Sequence, residues 1–120
     1  MDTLHIKGEE DTPEIVLDKK NGIFEISGRS LPEDVVEFYR PVLEWINQYK
    51  EAPNSKTEVM IKVEYLNTAS SKLIQDVLMS FEKIKGSRVI WYYREDDDDM
   101  DAMGHEYAEI IELPFEFKSY

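Results

Sequence analysis

Apolar and polar positions follow two different periods along the chain, and these periods predict its secondary structure. The first regular stretch consists of two short apolar runs, "EIVLD" and "GIFEISG", separated by "KKNG". Asn21 and Gly22 suit the positive φ angles of a tight turn, so residues 14–28 are predicted to form a β-hairpin. Residues 1–12 are polar and acidic without periodicity, which predicts a flexible, loosely held N-terminal arm before a single domain at 13–120, with Leu4 and Ile6 as the residues that can touch the body.

The segment after the hairpin has helical spacing. Apolar residues recur every three or four positions from 35 to 49, which predicts an amphipathic helix. Ser30 and Glu33 have the spacing of a capping box, and Pro32 suits the first turn because it has no N–H to satisfy. Pro41 lies inside the helical pattern and is expected to kink or interrupt the helix.

The second half of the chain is predicted to alternate between strands and helices. "TEVMIKVEY" alternates, and one face of this strand is predicted to hold Val59, Ile61, Val63 and Tyr65. A helix is predicted at 70–85, ending at Gly86, and "RVIWYY" is typical of a central strand covered on both faces. This order implies a right-handed parallel crossover. With a last helix near 100–111 before the "LPFEFKSY" tail, the chain is predicted to be α/β, a small mixed β-sheet with an N-terminal hairpin packed against helices.

Composition narrows the choice of partners. The 120 residues include 26 Asp and Glu against 14 Lys and Arg, and the net charge of −12 would repel nucleic acid and anionic membrane. The absence of cysteine excludes disulfides, thiol catalysis and cysteine-based zinc sites. No run approaches the roughly 18 apolar residues of a membrane helix, and the N-terminus lacks the regions of a signal peptide, so a cytoplasmic protein is predicted.

No motif in the chain predicts catalysis, a cofactor or a metal site. The acidic segment at 95–101 satisfies no register of an EF-hand and is interpreted as solvated charge, with residues 97–99 favouring the positive end of the last helix. His5 and His105 are not spaced as ligands, and neither a nucleophile elbow nor a phosphate-binding glycine loop is present. Four aromatic residues are more typical of a core than of a ligand pocket: Trp45, Trp91, Tyr92 and Tyr93.

Three side-chain hydroxyls follow the predicted strand in "LNTASSK", at Thr68, Ser70 and Ser71. One of them can be the N-cap of the next helix, worth about 1 kcal/mol, but a cap explains one hydroxyl and not three. Loops at the carboxyl ends of strands in α/β sheets often carry function, and a phosphate there would lie near the positive end of a helix dipole. From the residues alone, helix cap and phosphorylation switch stay open as alternatives.

Several blocks of the sequence together resemble one family. They run in order from about Thr12 to the C-terminal tail: "TPEIVLD", "GIFEISGRSLPED", "FYRPVLEWI", "VEYLNTASSK", "VIWYYREDDDDM" and "MGHEYAE". In these blocks the chain is similar to the SiaC family of bacterial regulatory phosphoproteins, and "GRSLPED" and "EYLNTASSK" are the most specific. Leu66 and Ala69 depart from the family pattern, where an aromatic residue and a serine are expected, whereas the adjacent threonine is in place.

The resemblance implies a STAS-like fold, similar to anti-sigma-factor antagonists, and a protein that is a substrate rather than an enzyme. Thr68 would be phosphorylated by a dedicated serine/threonine kinase and dephosphorylated by a metal-dependent, PP2C-like phosphatase. The unphosphorylated protein would bind and activate a diguanylate cyclase, a GGDEF domain protein, raising cyclic di-GMP and favouring biofilm formation. Phosphorylation would break that contact. Asn67, Ser70 and Ser71 are candidate secondary phosphosites or partner contacts.

Two alternatives stay open. An anti-sigma-factor antagonist would share the fold and the kinase but control transcription. A small-ligand or cation-binding domain would instead use the aromatic cluster or the acidic segment.

Overall fold

Six strands lie side by side in chain order in one mixed sheet. The computed structural model describes all 120 residues, and its strand order is β1-β2-β3-β4-β5-β6. The first three strands are antiparallel neighbours, and β3 to β6 are parallel neighbours. The strands are β1 (Leu4–Ile6), β2 (Glu14–Asp18), β3 (Ile23–Ser30), β4 (Thr57–Leu66), β5 (Ser87–Tyr93) and β6 (Phe115–Ser119).

A helix forms each connection between parallel strands. The helices are α1 (Val35–Tyr49) between β3 and β4, α2 (Thr68–Phe81) between β4 and β5, and α3 (Asp98–Ile110) between β5 and β6. Each connection leaves a strand at its carboxyl end and enters a helix at its amino end. The three helix starts therefore gather at one edge of the sheet, which we call the carboxyl edge. None of the helices combines the length and the apolar character needed to cross a membrane.

The core lies between one face of the sheet and all three helices. Apolar strand residues on this face are neighbours across the sheet, as in Phe24, Val59 and Val89 on three successive strands. The helices bury their apolar side chains in the same cluster of 24 residues. Trp45 is 7% exposed and Trp91 is fully buried, which confirms that both belong to the core.

The other face of the sheet carries no helix. Parallel sheets are usually covered on both faces, and here long charged side chains provide the cover. Arg88 makes ion pairs with Glu58 at 3.0 Å and with Glu116 at 2.8 Å, and Ile90 on the same face is only 6% exposed. The prediction that β5 is a central strand is confirmed, since β4 and β6 flank it, but helices cover only one of its faces and Tyr92 is half-buried on the other.

The sequence patterns predicted the central elements correctly. The predicted hairpin corresponds to β2 and β3, and the last predicted helix to α3. The helix predicted at 70–85 corresponds to α2, which ends at Phe81, before the predicted stop at Gly86. The parallel pairing of β4 with β5 across α2 is confirmed as well. The mixed α/β fold class is therefore correct.

Two edge strands were not predicted. Leu4–Ile6, in the segment predicted to be a flexible arm, pairs with β2. Leu4 and Ile6 are half-buried and pack against the core, as expected from the sequence, but the strand itself was not predicted. The tail after α3 forms β6, in which Phe115 and Phe117 pack against the core. Short edge strands need only two apolar residues, which are too few to show a period in the sequence.

The start of α1 also differs from the prediction. Ser30 and Glu33 do not form a capping box, because Ser30 is the last residue of β3 and is fully buried. The N-cap is Asp34, whose carboxylate accepts a hydrogen bond from the Glu37 N–H at 3.2 Å. The helix continues through Pro41, which is exposed, so water can satisfy the carbonyl that the proline leaves free.

Gly104 lets α3 approach β5 closely, which makes it sensitive to substitution. A Cβ there would lie 2.5 Å from two atoms of the buried Trp91 indole. Gly104→Ala is therefore expected to lower the free energy of unfolding by about 1–3 kcal/mol, although alanine is the better helix former. Urea unfolding measures this loss. Ala102→Gly is the control, because residue 102 is exposed in the same helix and this change lowers the free energy of unfolding by about 1 kcal/mol through helix propensity alone. If Gly104→Ala stabilised the protein, the close contact between residue 104 and Trp91 would be contradicted.

Candidate functional site

The loop with three hydroxyls lies at the carboxyl edge, where β4 passes into α2. Asn67 is the N-cap of α2 and Thr68 is its first residue. The Asn67 side chain accepts a hydrogen bond from the Ser70 N–H at 2.8 Å, and its carbonyl accepts one from the Ser71 N–H at 2.9 Å. The interpretation that one of the hydroxyls caps the helix is therefore wrong, because the amide side chain of Asn67 does so.

The three hydroxyls have three different environments. Ser70 is fully buried and accepts a hydrogen bond from the Ser30 hydroxyl at 2.9 Å, so a kinase cannot reach it in the folded protein. The Ser71 hydroxyl donates to the Thr68 carbonyl at 2.7 Å. Thr68 is exposed, and its own hydroxyl bonds to no protein group. Only Thr68 presents a free hydroxyl to solvent.

A β-bulge next to this loop changes which residues face solvent. The register between β3 and β4 shifts after Gly28 and leaves Glu64 as an extra residue in β4. Strand alternation placed Tyr65 on the core face, but beyond the bulge it is 45% exposed, with Arg29 over its ring at 5.2 Å, and Leu66 turns inward instead. Bulges are frequent beside functional sites because they redirect side chains. No sequence pattern signalled this one.

A groove of about 600 Å³ runs between α2 and α3 beside Thr68. Its α2 wall includes Thr68 and Lys72, and its α3 wall includes Met103, Glu106 and Ile110. Ile110 is 54% exposed. The surface around Thr68 thus combines apolar area with isolated charges, a mixture typical of protein–protein contacts.

Two buried tyrosines reach the first turn of α2 from the neighbouring helices. The Tyr39 hydroxyl of α1 lies 2.6 Å from the Ser30 hydroxyl, which in turn bonds to Ser70. The Tyr107 hydroxyl of α3 donates to the Ser71 carbonyl at 2.5 Å. Burial raises the pKa of Tyr39 to about 12 and also raises the pKa of Tyr107, so both hydroxyls keep their protons at physiological pH.

The acidic segment at 95–101 is partly helical. Asp97 is the N-cap of α3 and accepts a hydrogen bond from the Met100 N–H at 3.0 Å, and the following aspartates lie in the first turn. This confirms the interpretation that residues 97–99 lie at the positive end of the last helix. No group of three His, Cys, Asp or Glu side chains is arranged to hold a metal ion. His5 and His105 are both exposed.

Asn67 caps α2 and Thr68 does not, so substitutions of the two residues are expected to differ in their effect on stability. Asn67→Ala removes the acceptor of the Ser70 N–H and is expected to cost about 1 kcal/mol of unfolding free energy. Thr68→Ala removes an unbonded hydroxyl at a helical position that favours alanine, and is expected to change stability by less than about 0.5 kcal/mol. Urea unfolding of both variants measures the difference. A larger loss for Thr68→Ala would contradict the cap assignment.

Burial of Tyr39 predicts a loss of stability at alkaline pH. Its pKa is about 12 in the folded protein and 10.0 in an exposed tyrosine, so above pH 10 the unfolded state ionises first and becomes favoured. The stabilising effect is complete below that value and is lost as the pH rises toward 12. Denaturant unfolding at about pH 8 and about pH 11 is expected to show the advantage of wild type over Tyr39→Phe shrinking by about 1 kcal/mol. A constant difference would contradict the burial of this hydroxyl.

Comparison with known sequences covers almost the entire chain. A model of the SiaC family of regulatory phosphoproteins matches residues 6–120. An uncharacterized protein of Pseudomonas aeruginosa strain UCBPP-PA14 is 28% identical over 124 residues, which cover 100% of this chain and 98% of the relative. The resemblance found in the sequence blocks is thereby confirmed.

Solved structures share the fold along its whole length. The structure of SiaC of Pseudomonas aeruginosa has a TM-score of 0.86 at 26% identity and covers 100% of both chains. A chain in the crystal structure of the diguanylate cyclase SiaD in complex with its activator SiaC, from the same species, has a TM-score of 0.87 at 26% identity, covering 98% of this chain and 99% of that chain. With the family model matched from residue 6 to the last residue, this chain belongs to the SiaC family of regulatory phosphoproteins.

Proposed function

We propose that this protein is a phosphorylation switch, which binds and activates a diguanylate cyclase while Thr68 is unmodified and releases it when Thr68 carries a phosphate. The observation that carries the proposal is the position of Thr68, an exposed and unbonded hydroxyl at the first residue of α2 beside the groove. The family of regulatory phosphoproteins supports it, as does the Pseudomonas structure in which SiaC is the activator of the diguanylate cyclase SiaD.

The charges at the three helix starts support Thr68 as the phosphate acceptor. α1 has Asp34 as its N-cap and Glu37 in its first turn, and α3 has Asp97 followed by further aspartates. α2 is capped by the neutral Asn67 and has no acidic residue in its first turn. A negative charge at this end of a helix is favoured by about 0.3–1 kcal/mol. A phosphate on Thr68 would therefore meet a helix dipole that no carboxylate already compensates.

The cost of the phosphate depends on whether a partner is bound. In the free protein, Lys72 lies one turn after Thr68, where side chains four residues apart are neighbours, and can pair with the added charge. In a packed contact, a phosphate of about −1.5 to −2 charge would have to lose water opposite Met103 and Glu106. The phosphate is therefore easily accommodated in the free protein and destabilises the complex, which favours release of the cyclase.

The proposal includes the enzymes that act on Thr68 and the place of action. A dedicated serine/threonine kinase adds the phosphate, a metal-dependent PP2C-like phosphatase removes it, and this protein is the substrate without catalysis of its own. The module works in the cytoplasm and controls biofilm formation through cyclic di-GMP. Because Ser70 is buried and the Ser71 hydroxyl is already bonded, Thr68 is the primary site, and Asn67 and Ser71 serve as partner contacts.

Charge at position 68 is expected to control partner binding. Thr68→Asp should weaken the affinity for the diguanylate cyclase of the same organism by at least about tenfold, which corresponds to about 1.4 kcal/mol. The affinity of Thr68→Ala should lie within about twofold of that of wild type. Isothermal titration calorimetry measures both affinities, and cyclic di-GMP synthesis reports activation. Ser55→Asp is the matched control, because it adds the same charge to an exposed residue at the opposite end of β4.

Mass spectrometry on protein from its native cells identifies the modified residue in a separate measurement. The expected result is one phosphate on Thr68 in the peptide containing "LNTASSK". If Thr68→Asp and Thr68→Ala bound the cyclase equally well, charge at this residue would not be the switch.

A further inference from the structure

The first turn of α2, which carries Thr68, has few apolar contacts of its own. Thr68 and Ala69 are exposed, Ser71 is half-buried, and the one fully buried side chain in the turn is the polar Ser70. The apolar stripe of the helix begins only at Leu73. Because local stability depends on buried contacts, this turn would fray unless polar interactions held it.

Two tyrosines, one from α1 and one from α3, supply such interactions, and we call Tyr39 and Tyr107 the tyrosine clamp. The Ser30 hydroxyl has one proton and donates it to Ser70 across 2.9 Å, so Tyr39 is the donor to Ser30 across 2.6 Å. Tyr107 of α3 donates directly to the Ser71 carbonyl at 2.5 Å. The bond of Tyr39 to Ser30 is fully buried, so water does not compete for it. Tyr107 is 6% exposed, and its bond to the Ser71 carbonyl is part-buried at the wall of the α2–α3 groove.

The packing of the two rings does not require their hydroxyls. Tyr39 lies in the core cluster, and Tyr107 packs against Trp91 with ring centroids 5.5 Å apart, contacts that phenylalanine would also make. A buried hydroxyl without a partner costs about 1–3 kcal/mol, so tyrosine is favoured over phenylalanine only where a partner is available. For both tyrosines the hydrogen bonds lead to the turn that carries Thr68.

We propose that Tyr39 and Tyr107 are positioning residues of the Thr68 site, which hold the first turn of α2 in helical form and so keep Thr68 at a helix N-terminus. The inference rests on the proposed function for the role of Thr68, whereas the clamp itself can be tested without it. Through these two hydroxyls, α1 and α3 set the position of the residue that α2 presents, although neither tyrosine bonds to the Thr68 side chain.

Amide hydrogen exchange tests the clamp in the unmodified protein. Tyr39→Phe and Tyr107→Phe are each expected to speed exchange of the Ser70 and Ser71 amides by roughly fivefold beyond any change in the core strands. Tyr49→Phe is the matched control, because it removes a fully buried hydroxyl 2.7 Å from a threonine hydroxyl at the other end of α1. The control is expected to leave both amides unchanged relative to the core.

A second measurement reports the position of the phosphate. With phosphothreonine incorporated at position 68, phosphorus NMR gives the second pKa of the phosphate, which a formed helix N-terminus lowers from its usual value of about 6. Tyr39→Phe and Tyr107→Phe are expected to move this pKa back toward that of a free phosphothreonine. Tyr49→Phe is expected to keep the wild-type value.

Faster exchange together with the altered phosphate pKa, in both clamp variants and not in the control, supports the proposal. Unaltered exchange in either clamp variant, an equal change in the Tyr49→Phe control, or one phosphate pKa for all variants overturns it. Neither measurement uses the cyclase. A failed clamp is therefore distinguished from a failed switch, which the binding assay with Thr68→Asp reveals.

Discussion

The last four strands are parallel, and the position of the candidate site follows from this constraint. Each parallel connection leaves a strand at its carboxyl end and returns through a helix, so three positive helix ends meet along one edge of a protein with a net charge of −12. Two of these starts, at Asp34 and Asp97, have carboxylates of their own, and the third, at Asn67, has none. The fold thereby leaves one helix start on this edge, that of α2, without a carboxylate to compensate its dipole.

The uncovered face of the sheet is less suited to recognition than the carboxyl edge. Ion pairs such as that of Arg88 with Glu58 contribute little free energy because they are half-exposed, but their long stems cover Ile90 and interrupt any apolar patch. Two of the exposed apolar side chains, Tyr65 and Ile110, lie beside the loop and in the α2–α3 groove, whereas the exposed Tyr120 ring is covered by Lys62 and Arg94. The surface beside Thr68 thus combines exposed apolar area with isolated charges, the mixture typical of protein–protein contacts.

The sequence predicted elements in which the apolar pattern repeats several times. It missed features that are decided by single contacts. α2 could be predicted because its apolar residues recur over several turns, whereas two apolar residues in β1 or β6 show no period. The bulge at Glu64 depends on pairing between strands far apart in the chain, so the exposure of Tyr65 could not be predicted. Thr68 itself was predicted from the family resemblance. The cap could not be chosen by chemistry alone, because every polar side chain from 67 to 71 can accept a helix N–H, and only the burial of Ser70 and the bonding of Asn67 decide which hydroxyl stays free.

In the proposed switch, phosphorylation changes the overall charge very little, so it has to act through local contacts. One phosphate takes the net charge from −12 to about −14, and exposed charges farther apart than about 8 Å are largely screened at physiological ionic strength. A partner touching only the open face of the sheet would hardly sense the change, so the contact has to include the surface beside Thr68. The same reasoning gives the tyrosine clamp its importance. In a frayed first turn the phosphate could move into water, where its repulsion of a partner is weaker, so a switch that depends on one charge requires a defined position for that charge.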